Sequence, residues 1–150
     1  MAVRVTKEQT LRTMRVIWFA FIMSVVLYIY VCKMIRPSSP SGAETTLFVV
    51  PAVLDLLSFL WIRFKRYAPA LQSLQSQPED VRAVAKWRVF LVALLAMAEA
   101  EILFGVVSWM LNGIFRQSLP FFVLGSLLLL SLWPRQFWSS SPIADDRPLG

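Results

Sequence analysis

The chain has 150 residues, 57% of them hydrophobic and only 16% charged, with a mean hydropathy of +0.62. Soluble domains run at about 45–50% apolar and about 25% charged residues, so a water-soluble fold of this size is excluded. Fifteen Lys and Arg stand against nine Asp and Glu, with no histidine and the single cysteine Cys32. That inventory excludes an internal disulfide and His/Cys zinc, haem or iron–sulfur ligation, so neither a metal nor a cofactor is expected. The basic residues flank long apolar runs, so membrane topology explains them and no nucleic-acid partner is implied.

Four apolar segments follow one another. The first covers about 16–35: Val16 to Val31 is free of charge, and Lys33 can snorkel to the interface. A cleaved leader ending near Ser41-Gly42-Ala43 is the rival reading, against which the length of the apolar run counts. The cluster Pro37 to Gly42 predicts a short, irregular connection. The second segment, 45–62, carries one charge, Asp55. A connection of about 24 residues is expected from Arg63 to Lys86. Within it Ser76-Gln77-Pro78-Glu79 has the pattern of a helix start, with Ser76 as cap. No breaker follows before Gly105, so that helix is expected to run directly into the third segment, 89–111, which carries Glu99 and Glu101.

The fourth segment, 119–133, has only fifteen residues and barely crosses a hydrocarbon core of about 30 Å. Pro120 suits its first turn, and Trp133, Phe137 and Trp138 suit an aromatic belt. The tail 139–150 has the composition of a disordered segment. The expected fold is therefore all-α: one domain over 1–138, a bundle of four transmembrane helices. Lys and Arg are distributed unevenly among the connections: four precede the first span (Arg4, Lys7, Arg12, Arg15) and six lie between the second and third (Arg63, Lys65, Arg66, Arg82, Lys86, Arg88). Arg135 and Arg147 follow the fourth, leaving only Lys33, Arg36 and Arg116 on the opposite side. Twelve against three predicts both termini inside, in a multi-pass protein of the cell (inner) membrane.

The chemistry is expected at three carboxylates near the bilayer midplane, Asp55, Glu99 and Glu101. An acidic side chain there costs about 2.5 to 3.5 kcal/mol on insertion scales. With no Lys or Arg at that depth, three cannot all stay ionised without a cation. They are the candidate ion or proton residues, and interhelical packing through protonated carboxyls is the competing explanation. Glu99 and Glu101 point about 200° apart on a helix. Glu101 shares a stripe with Gly105, Ser108 and Asn112 and is expected to meet Asp55 or Ser58. Glu99 shares an apolar face with Val92, Leu95, Ile102, Val106 and Met110 and is expected to face lipid or another subunit. Ala93, Ala96 and Ala100 flank it and allow close helix approach.

Ala98-Glu99-Ala100-Glu101-Ile102-Leu103-Phe104-Gly105-Val106-Val107 resembles the carboxylate helix of the ring-forming proteolipid (c-type) subunits of rotary ATPases. In that family the ion-binding carboxylate is followed five and six residues on by an aromatic and a glycine, as Glu99 is by Phe104 and Gly105. A Gln-Pro turn, here Gln77-Pro78, stands in the preceding loop. The resemblance implies that Glu99 is reversibly protonated where it meets a partner subunit.

Three functions follow as expectations: proton or cation handling; a non-catalytic accessory or assembly subunit of a larger membrane complex, with other membrane subunits or, in a homo-oligomer, further copies of itself as partners; and a membrane enzyme acting on lipid. The last ranks lowest, because without His and with one Cys near an interface the inventory of nucleophiles and bases is thin. The chain is thus expected not to be an enzyme, with the lipid bilayer and other membrane subunits as its partners.

Overall fold

The computed structural model describes residues 7–35, 46–77 and 80–133. They form α1 (Lys7–Met34), α2 (Thr46–Ile62), a π-helical turn (Arg63–Tyr67), α3 (Ala68–Ser76), α4 (Val81–Asn112) and α5 (Phe115–Ser131). The described residues are helical apart from short connections, as the apolar runs imply. Three stretches, Gln9–Met34, Leu47–Ser76 and Val81–Asn112, are long and apolar enough to cross a membrane, and α5 is shorter. The 37–42 breaker cluster, Phe137, Trp138 and the 139–150 tail lie outside the described residues.

Where a 24-residue connection was expected after Ile62, the helix instead continues to Ser76. Pro69 explains the route. It has no N–H to give to the carbonyl four residues back, and its ring crowds that carbonyl. The chain widens by one π turn just before it, and the Ala68 N–H reaches the Arg63 carbonyl. This leaves α2 and α3 as one rod.

The expected cap also moves. Ser76 ends α3, its hydroxyl donating to the Ser73 carbonyl at 3.1 Å. Gln77 leaves the helix at φ −134°, ψ 70°, because the residue before a proline is driven from helical geometry. Asp80 caps α4, accepting the Arg82 N–H at 2.8 Å. From there α4 runs unbroken for 32 residues, about 48 Å, through Gly105 as expected. It stops at Gly113, whose φ of 70° suits a residue without Cβ. Asp80→Ala is expected to cost about 0.5–2 kcal/mol. The measurement is amide exchange, which should quicken over Val81–Val84 and leave the rest of α4 unchanged.

The helices run up and down in turn, with α4 in the centre: 39% of its apolar window is buried, against 17% for α1 and 11% for the α2–α3 rod. Its wholly buried residues Trp87, Leu91, Leu94, Leu95, Ala98 and Ile102 form the spine of the core. α5 returns alongside it at very short range. A Cβ placed on Gly125 would lie 2.5 Å from Ile102 Cγ1 and 2.7 Å from the Ala98 carbonyl oxygen, and Gly105 receives the Phe122 ring. α1 runs parallel to α4. It is tied to α5 by the buried Trp18 indole, which donates to the Leu129 carbonyl at 2.9 Å and meets Trp133 edge-on at 4.4 Å.

Arg63 donates to Ser131 at 2.7 Å, which joins the end of α2 to the end of α5. This pairing of helix ends puts Arg12, Arg15, Arg63, Lys65, Arg66, Arg82, Lys86 and Arg88 at one end of the bundle. Lys33 and Arg116 stand at the other.

Candidate functional site

Because α4 is continuous, Glu99 and Glu101 leave it on nearly opposite sides, and two separate sites result. Glu99 faces α1. Ser24 and Tyr28, one turn apart on α1, donate to the same oxygen, Glu99 Oε1, at 2.8 and 2.9 Å. Ser24 Oγ also lies 2.7 Å from the Phe21 carbonyl. A serine hydroxyl has one proton and two lone pairs, so the cluster accommodates either state of the carboxyl. With Glu99 ionised, Ser24 and Tyr28 both donate to it. With Glu99 protonated, its hydroxyl donates to Ser24 Oγ, and Ser24 turns its own proton to Phe21.

The face expected to meet lipid or another subunit is covered only in part by this chain: Glu99 and Val106 are half-buried, and Val92 and Met110 stay exposed. Leu95 and Ile102, on the same expected face, are wholly buried in the core. Ala96 is exposed and Ala100 half-buried. Within the chain, the close helix approach falls at Ala98, where α5 brings Gly125 against it.

Glu101 faces inward. It has no exposed surface, and neither carboxyl oxygen has a hydrogen-bond partner. Its charged neighbour is Asp55 on α2, half-buried, whose Oδ2 is likewise buried without a partner. Of the two partners expected for Glu101, Asp55 is the one present. Ser58 is exposed and donates to the Leu54 carbonyl of its own helix at 2.8 Å.

The rest of the Glu101 stripe is buried as its spacing implies. Gly105 packs under Phe122, Phe104 is half-buried, and Ser108 accepts from Asn112 Nδ2 at 3.4 Å. The described residues gather no group of three or more His, Cys, Asp or Glu side chains that could hold a metal ion.

A buried carboxylate without donors is strongly disfavoured. Two near one another become tolerable when a proton is taken up at one of them, or when a cation enters. Glu99 receives two donors on one carboxyl oxygen, whereas neither oxygen of Glu101 has a partner.

Two contributors were missed at the sequence level. Ser24 and Tyr28 are polar residues at i and i+4 in an otherwise apolar span, a detectable signal for an interhelical polar contact. Tyr28→Phe is expected to cost about 0.6 kcal/mol and at most about 1.7, the range for hydrogen bonds between membrane helices. Unfolding in mixed micelles measures it, and the loss should largely vanish in a Glu99→Gln background. No family model matches the chain, and no curated protein or solved structure shows significant similarity to it.

Proposed function

We propose that this chain is a small inner-membrane protein that takes up and releases protons, or a monovalent cation, at the Glu101–Asp55 pair. In this reading the bundle spans the bilayer four times, with its basic end and both termini inside. Support for that orientation comes from the eight basic side chains at one end against two at the other. The observation that carries the function is the wholly buried Glu101, with both oxygens unpartnered, beside a second buried carboxylate oxygen. A site built only to hold helices together gains by bringing donors to its carboxyl oxygens, as Ser24 and Tyr28 do at Glu99 Oε1.

That cluster favours a second reading for its own residue. With Ser24 and Tyr28 in place, Glu99 joins α1 to α4 and fits an accessory or assembly subunit that needs no proton traffic. A proteolipid-like role for Glu99 is the third reading, and it requires the carboxyl to leave both hydroxyls.

Vesicles reconstituted with the pure protein and loaded with a pH-sensitive dye separate these readings. The expected result is dissipation of an imposed proton or sodium gradient by the wild-type chain and by Glu99→Gln, but not by Glu101→Gln. Flux lost in Glu99→Gln and kept in Glu101→Gln supports the proteolipid-like role. No flux from the wild-type chain overturns the transport reading and leaves the accessory subunit.

A further inference from the structure

Outside the carboxylate sites, a groove opens between α1 and α4 at the basic end of the bundle. It measures about 550 Å³, and its lining includes Met14, Ile17, Arg88, Val92 and Ala93. Its chemistry changes along its length. Arg88 is the last basic residue before the apolar run of α4, and Ala93 lies five residues further along, about 7.5 Å deeper. Ala85 and Ala93, too small to fill the space, leave it open between larger neighbours. A charged rim over an apolar channel matches a molecule with an anionic head and a hydrocarbon tail.

Charge singles out the head. Arg88 is joined at that end by seven further Lys and Arg side chains, and Asp80 is the one acid there among the described side chains. No carboxylate of the described residues pairs with Arg88.

We propose that this groove binds one anionic phospholipid, its phosphate against Arg88 and an acyl chain lying over Ala93, between Ile17 and Val92. Guanidinium binds phosphate through two parallel N–H donors, and the apolar floor holds the chain where a bare basic surface holds only the head. The site lies at the helix ends, away from Glu101 and Asp55, and does not depend on the reading of that pair.

Native mass spectrometry of the full chain, released from micelles containing equal amounts of phosphatidylglycerol and phosphatidylcholine, tests it. One retained lipid is expected, predominantly phosphatidylglycerol. Arg88→Gln should lower that preference about fivefold, the weight of one basic residue at a charged membrane surface. Arg82→Gln, at the same end but exposed and outside the groove, should leave it unchanged. Ala93→Phe fills the groove and should abolish retention of both lipids.

Equal losses in Arg88→Gln and Arg82→Gln would mean diffuse attraction and overturn the site. Undiminished retention in Ala93→Phe would do the same, as would a lipid-free dimer with a second copy in the groove.

Discussion

Gly125→Leu is expected to separate α4 from α5 and to leave little folded protein. The cause is local: a Cβ at 125 would already lie 2.5 Å from Ile102 Cγ1, 2.7 Å from the Ala98 carbonyl oxygen and 3.1 Å from the Ile102 nitrogen. Two of those three atoms are backbone of the central helix and cannot swing aside. The contact is relieved only if the helices part, which withdraws α5 from the Trp18–Leu129 hydrogen bond as well. Forcing extra carbon atoms into a packed interior costs about 1–3 kcal/mol, the range expected for Gly125→Ala, with the larger leucine beyond it.

Gly105→Ala serves as the internal comparison. Its nearest contacts are the Phe122 ring at 3.1 Å and Phe121 Cβ at 3.2 Å, and an aromatic ring can shift by tenths of an ångström. Thermal unfolding in one detergent should therefore rank wild type above Gly105→Ala, Gly105→Ala above Gly125→Ala, and Gly125→Leu last. Equal tolerance of both alanines would show that the α4–α5 approach is looser than described.

The largest functional effect is expected from the carboxyl pair. Glu101→Gln keeps the shape of the side chain and supplies an amide that can donate to Asp55, so the fold should persist. The site can no longer gain and lose a proton through residue 101, and flux in vesicles should fall at least tenfold. Asp55→Asn should also abolish flux, because the remaining carboxylate is then held by a permanent donor in place of an exchangeable one. Removing one of two facing acids relieves their repulsion, so Asp55→Asn should be at least as stable as wild type. A variant that loses flux while gaining stability is the signature of a functional carboxylate and not of a packing one. Loss of stability in Asp55→Asn, with flux retained, would assign the pair to packing.

How far each feature was legible depends on whether a local pattern or a neighbouring helix decides it. The central helix was legible: the absence of a breaker from Val81 to Gly105, leading into an apolar segment, admits little but a continuous α4. The continuation of α2 was not. Arg63, Lys65 and Arg66 together with Pro69 read as the composition of a connection, yet one π turn accommodates the proline and the charges sit at the helix surface. The start of α4 turned on a contest between Ser76 and Asp80, both good capping residues, and Pro78 decided it by keeping Gln77 out of the helix.

The divergence of Glu99 and Glu101 followed from helix geometry alone. What covers each face did not, because a helical wheel does not name the neighbour. Leu95 and Ile102, on the face expected toward lipid or another subunit, are core, whereas Val92 and Met110 of the same face are exposed. The sequence points to Ala93, Ala96 and Ala100 for close helix approach, whereas Gly125 of α5 makes its contact at Ala98.

The most direct test is infrared spectroscopy of the protein in lipid, following the carbonyl stretch of a protonated carboxyl in wild type, Glu99→Gln and Glu101→Gln. The expected result is a band that responds to bulk pH or to added monovalent cation, survives Glu99→Gln and disappears in Glu101→Gln. A Glu101 band that stays unchanged across pH and cation concentration would mean a permanently protonated packing residue. That outcome, or a responsive band that belongs to Glu99, would contradict proton or cation exchange at the Glu101–Asp55 pair.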